Sequence, residues 1–163
     1  MFLERCNENT LLSWLIHPTD DEEAVESWKE FLELSKGENI KIFLNEGIKD
    51  IPLELEEKAG EFEPGKIYRG GWKGHKLTPE MEKDLKDFKH LVMGYKLNYC
   101  VKGHVDYLLG RNVSPEDILG SRRYSLKGNH VTDPTENNYS NMGIELVEGN
   151  LQDILNNLIE YKE

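Results

Sequence analysis

The sequence predicts a mainly α-helical protein with one long helix over residues 79–109 and a short β hairpin near 61–76. Three observations predict it. First, Met81, Leu85, Phe88, Val92, Tyr95 and Tyr99 recur at alternating steps of four and three, which lines six side chains along one helical seam of the kind that packs against a partner helix. Second, Thr78-Pro79-Glu80, Ser114-Pro115-Glu116 and Asp133-Pro134-Thr135-Glu136 each place a capping oxygen, a proline and an acid in the order that starts a helix. Third, the glycines at 65, 70, 71 and 74 gather in one stretch that defeats a helix.

The elements follow in order. Leu11, Leu12, Trp14, Leu15 and Ile16 form a short apolar run that stops before Pro18, because the residue preceding a proline is driven out of helical geometry. Thr19 or Asp20 caps the next helix, with Glu23 at capping-box spacing from Asp20. Val25, Trp28, Phe31, Leu32 and Leu34 give it an apolar face, and Gly37 stops it. Ile40, Ile42, Phe43 and Leu44 suit a short helix or a strand equally. Residues 51–59 add a helix with Pro52 at its first position. Residues 61–76 read as a loop or hairpin, and the long helix follows. Ser114 opens a short helix closed by Gly120, and residues 121–132 read as a polar loop. Leu151, Ile154, Leu155, Leu158 and Ile159 make a final amphipathic helix suited to packing on the long one. The organisation expected is an acidic helical part (1–60), a Gly-rich divider (61–76) and a helical part (77–163), able to form a single domain.

The 163 residues carry a formal net charge of −11. That charge is segregated: −11 over residues 1–64, +6 over 65–130 and −6 over 131–163. An acidic head and tail around a basic middle suit internal charge pairing, or a middle that meets an anion. There is no apolar run of membrane-spanning length, the opening residues are too charged for a secretory leader, and Cys6 and Cys100 are too far apart in sequence for a metal or disulfide framework. A cytoplasmic protein is expected.

Chemistry is sparsely signalled. The five histidines include no helix-borne zinc pair, and no metal site or cofactor is expected. Cys100, with Lys102 and His104 near it in sequence, lacks any pattern that would make it a nucleophile, so no catalytic residue is expected. Two segments interleave aromatics with cations: Tyr68, Arg69, Trp72, Lys73, His75 and Lys76, then Arg122, Arg123, Tyr124 and Lys127. Cations neutralise phosphates and aromatics stack on bases, so these are the candidate nucleic-acid or anion contacts.

Lys66-Ile67-Tyr68-Arg69-Gly70 resembles the Tyr-Arg-Gly strand of ADP-ribosyltransferases. In that family the arginine holds the dinucleotide and a Glu-X-Glu motif lies downstream; Glu145 and Glu148 here are three apart. Gly94-Tyr95-Lys96, Tyr124-Ser125 and Asp133-Pro134-Thr135 together resemble phage late-gene transcription regulators of the ArpU and RinA kind. That resemblance implies a long helix, a polar loop and a further helix.

The expected function is therefore a non-enzymatic regulatory or interaction protein of phage or mobile-element type. It would act with a protein partner on a nucleic-acid-associated target, and its seam would suit a homodimer. Two alternatives stand beside it: an acidic mimic of nucleic acid that blocks a host or defence protein, and an ADP-ribosyltransferase-like enzyme.

Overall fold

The computed structural model describes residues 11–16, 18–46, 51–71, 85–126 and 135–162. Six strands form one sheet: β1 (Leu11–Ile16), β2 (Ile40–Glu46), β3 (Ile67–Gly71), β4 (Lys89–Lys96), β5 (Ile118–Leu126) and β6 (Glu145–Val147). Their order is β3-β2-β1-β4-β5-β6, and every neighbouring pair is parallel. Among the described residues four α-helices lie between strands, α1 (Glu22–Ser35), α2 (Leu53–Ala59), α3 (Lys102–Gly110) and α4 (Thr135–Met142), and α5 (Leu151–Lys162) follows β6. This is a doubly wound α/β architecture, so the mainly helical prediction is overturned.

The error has a clear physical source. A parallel sheet covered on both faces buries its strands on both sides, so they read as continuous apolar runs rather than alternating ones. Every residue of Leu11–Ile16 is buried, as are Leu91, Val92 and Met93. Within the described part of the expected long helix, 85–87 form a single 3-10 turn, 89–96 form β4 and 97–110 are helical, while 79–84 lie outside the described residues. The seam accordingly breaks up. Val92 and Tyr95 are on β4, Leu85 is buried in its turn, Phe88 is half-buried, and Tyr99 is 63% exposed; Met81 lies outside the described residues. Of the hairpin expected near 61–76, the described residues 61–71 instead supply β3, which pairs in parallel with β2 across the α2 crossover, and 72–76 lie outside the described residues. Gly120 and residues 121–126, read as a helix stop and a loop, belong to β5.

Two apolar layers sandwich the sheet. On the first face Trp28, Phe31 and Leu32 of α1, Leu55 of α2, and Leu151 and Ile154 of α5 pack on Leu15, Leu44, Leu91 and Tyr124. On the second, Leu97, Val101, Val105 and Leu108 pack on Trp14, Ile16, Phe43 and Val92, with Tyr139 of α4. The last helix therefore lies on the face opposite α3 and does not pair with it. Among the described residues no helix is long and apolar enough to cross a membrane.

Local signals that do not depend on the sheet are realised. The cap of α1 is Asp21 in place of the expected Thr19 or Asp20, its Oδ1 accepting from the Ala24 N–H at 3.0 Å. Gly37 takes φ +77° just past the helix end, a conformation only glycine adopts without strain.

Candidate functional site

From β1 the chain winds through β2 and β3 to one edge, then returns to β4 on the other side of β1. The connections leaving β1 and β4 run to opposite faces, α1 to the first and α3 to the second. Open parallel sheets bind ligands outside the C-terminal ends of the strands at such a reversal. A cleft of about 810 Å³ lies there, lined by Asp21, Glu23, Ala24 and Ser27 of the α1 start, Tyr95 and Lys96 of β4, Arg122 to Ser125 of β5, and Glu148.

Lys96 is one of the cleft's cations. Its Nζ lies 5.4 Å from the Tyr95 ring centroid and 5.7 Å from that of Tyr99, so the ammonium sits between two aromatic faces that attract it electrostatically. Arg122 lies nearby, its Nε 3.8 Å from a Glu148 oxygen that is well exposed. The α1 N-terminus does not offer its positive end, because Asp21 occupies the first-turn N–H and Glu22 and Glu23 follow it.

The other expected contact residues that are described are committed to structure. Arg123 makes a forked pair with Glu30, Nη2 to Oε2 at 2.7 Å and to Oε1 at 3.0 Å, and this pairing raises its pKa. Tyr124 is buried; its hydroxyl accepts from the Leu151 N–H at 3.0 Å and lies 3.3 Å from Glu30 Oε1. Burial pushes that phenol above its ordinary range. Arg69 forks onto Glu56 with both contacts at 2.6 Å, and Tyr68 has Lys41 over its ring. Both sit on β3 at one sheet edge, whereas Glu145 sits on β6 at the other. Five strand spacings separate these edges, about 24 Å, so the ADP-ribosyltransferase pair does not assemble. Trp72, Lys73, His75, Lys76 and Lys127 lie outside the described residues.

The structure thus brings Arg122, Arg123, Tyr124 and Tyr95 to one cleft and leaves Tyr68 and Arg69 away from it. Lys96, Ser125 and the α1 carboxylates went unassigned as site residues. A glycine and a polar residue closing an apolar run would have found Lys96, had Leu91–Met93 been read as a strand.

Cys100 also deserves its place on this edge. Residues 97–101 form a π turn at the end of β4, a distortion that often marks functional positions. The Cys100 Sγ accepts from the Lys96 N–H at 3.3 Å, and the Tyr139 hydroxyl pins the turn by donating to the Leu97 carbonyl at 2.6 Å. Burial raises the Cys100 thiol pKa, against the pull of backbone groups of residues 95, 96, 100 and 101.

No family model matches the chain, and no curated protein matches it. Solved structures do. A structure described as MAR1 ribonuclease from Caenorhabditis elegans superposes with a TM-score of 0.65 at 15% identity, covering 86% of this chain and 77% of that one. Structures described as putative MAR1 ribonucleases from Leishmania donovani and Leishmania major give 0.63 and 0.62 at 15% and 14% identity. They cover 92% and 95% of this chain and 82% and 85% of theirs. At such identity the likeness establishes the fold. It also removes the footing of the phage-regulator expectation, which required a helical rod that the chain does not form.

Proposed function

We propose that this chain binds a nucleoside phosphate across the C-terminal edge of its sheet, with the phosphate on Lys96 and Arg122. The observation that carries the reading is the placement of Lys96 between Tyr95 and exposed Tyr99, beside Arg122, at the strand-order reversal. Cations recognise the phosphate, and an exposed ring gives a base or sugar a face to lie on. Asp21, Glu23 and Glu148 share the lining with Lys96, Arg122 and Arg123. That balance repels a long polyanion and suits one nucleotide unit, either free or at the end of an RNA strand. The ribonuclease descriptions of the structural neighbours support the same ligand class.

Calorimetric titration with a nucleoside monophosphate and with a short single-stranded RNA tests it. Lys96→Ala should weaken the monophosphate at least tenfold, about 1.4 kcal/mol, and added salt should weaken it further. Binding that is absent, or unaffected by Lys96→Ala, refutes the reading.

A further inference from the structure

Among the described residues, Asn45 at the end of β2 is a buried side chain whose hydrogen-bonding capacity the fold does not use. It is 0% exposed, and neither its Oδ1 nor its Nδ2 has a hydrogen-bond partner among the described residues. A buried amide with both atoms unpaired loses its hydration without compensation. An apolar residue of the same shape would avoid that loss. The hydroxyl of Ser13 is also unpartnered, but it sits in mid-strand, whereas Asn45 ends β2 where ligands reach parallel sheets.

The register fixes its relation to the cleft. Asn45 pairs with Gly70 and follows Leu44, the partner of Leu15, so it stands beside Ile16. Ile16 pairs with Gly94, and Gly94 with Ser125 of the cleft. One row of the sheet therefore runs from Asn45 through Ile16 and Gly94 to Ser125. Three strand spacings make that row about 14 Å, a span that a nucleotide and the side chains at its two ends can cover. Gly94 lets the row close up: a Cβ there would collide with the Ile16 carbonyl. By strand alternation Asn45 shares the face of Phe43, that of α3 and Cys100, whereas α1 supplies the cleft wall on the first face. Asn45 is not among the side chains that line the cleft, so a ligand reaching both would cross the sheet edge over the β1–β4 crevice.

We infer that Asn45 is the base-reading residue of the site, pairing through its adjacent acceptor and donor with the amino edge of adenine. An asparagine amide meets an adenine edge in two parallel hydrogen bonds, which a sugar phosphate alone cannot supply. The inference rests on the nucleoside-phosphate reading of the cleft and adds to it the base and the residue that selects it.

The test compares AMP with ribose 5-phosphate on the whole chain, by calorimetry, alongside thermal melts of the free protein. The wild type should bind AMP at least tenfold more tightly than ribose 5-phosphate. Asn45→Leu should lose that preference, bind ribose 5-phosphate as the wild type does, and melt no lower. Asn45→Ser carries the same comparison should the leucine variant not fold. Retention of the AMP preference in the variants overturns the inference and leaves the cleft reading standing, as does equal affinity of the wild type for both ligands. Failure of the wild type to bind either compound overturns the cleft reading itself.

Discussion

The two faces of the sheet each bury a tryptophan, and the two indoles are satisfied in opposite ways. On the first face Trp28 donates to the Tyr124 carbonyl at 2.7 Å, a backbone acceptor whose state does not change with pH. On the second, Trp14 donates to His90 Nδ1 at 3.0 Å, and His90 Nε2 lies 2.6 Å from the Leu85 carbonyl. That geometry requires the neutral ring with its proton on Nε2. The first face is finished by backbone bonds and charge pairs at its rim. The second holds a titratable ring, a tilted His104 whose ring centroid lies 4.3 Å from that of Trp14, the π turn and Asn45. The second face therefore gathers the groups whose state is conditional.

Removing Trp28 breaks the first side most severely. Trp28→Ala should cost about 3–5 kcal/mol in chemical denaturation, through the cavity and the lost transfer free energy. Trp14→Ala should cost a similar amount at pH 7, so a much smaller loss would show the second layer to be loosely packed.

Acid should distinguish the faces next. Burial, chiefly, lowers the His90 pKa to about 4 from an ordinary 6.5, against the smaller opposing pull of the Leu85 carbonyl. Between those values the unfolded chain binds a proton that the folded chain refuses. Stability is therefore whole above about pH 6.5 and declines as pH falls toward 4, by a few kcal/mol at most. Denaturation midpoints measured across that window should show the decline, and His90→Gln should flatten it. A slope that survives the substitution would assign the acid sensitivity elsewhere.

Smaller effects sharpen the same contrast. Tyr124→Phe removes the hydroxyl that receives the Leu151 N–H and should cost about 1 kcal/mol, with faster amide exchange at the start of α5 as its signature. Arg69→Ala breaks a forked but exposed pair with Glu56 and should change stability by less than about 1 kcal/mol. A larger loss would mean that the β3 edge depends on that pair.

Legibility in the sequence divides along physical lines. Helix α1 was readable because its cap, first-turn acids, apolar stripe and terminal glycine all lie within about sixteen residues of one another and owe nothing to other elements. The glycine at 37 and the amphipathic final helix were readable for the same reason. Strand β4 was not. Val92, Tyr95 and Tyr99 keep steps of three and four by coincidence, and a strand buried on both sides carries no alternation to contradict them. The candidate site was half legible: Arg122, Arg123 and Tyr124 stand together in sequence, whereas Lys96 and Asp21 join them only because β4, β5 and α1 meet at one edge. Nothing local marks Arg123 as spent on Glu30, 93 positions away, or Arg69 as spent on Glu56.

What the sequence determined unaided was local: helix caps and stops, the continuous apolar runs, and the segregation of charge. Those depend on contacts within a turn or two of the chain. Strand identity, the parallel order, the cleft and the choice of which cations remain there were decided only by tertiary structure. Each is a property of pairings between distant segments, and a buried strand acquires its two faces only when its neighbours and both helix layers are in place.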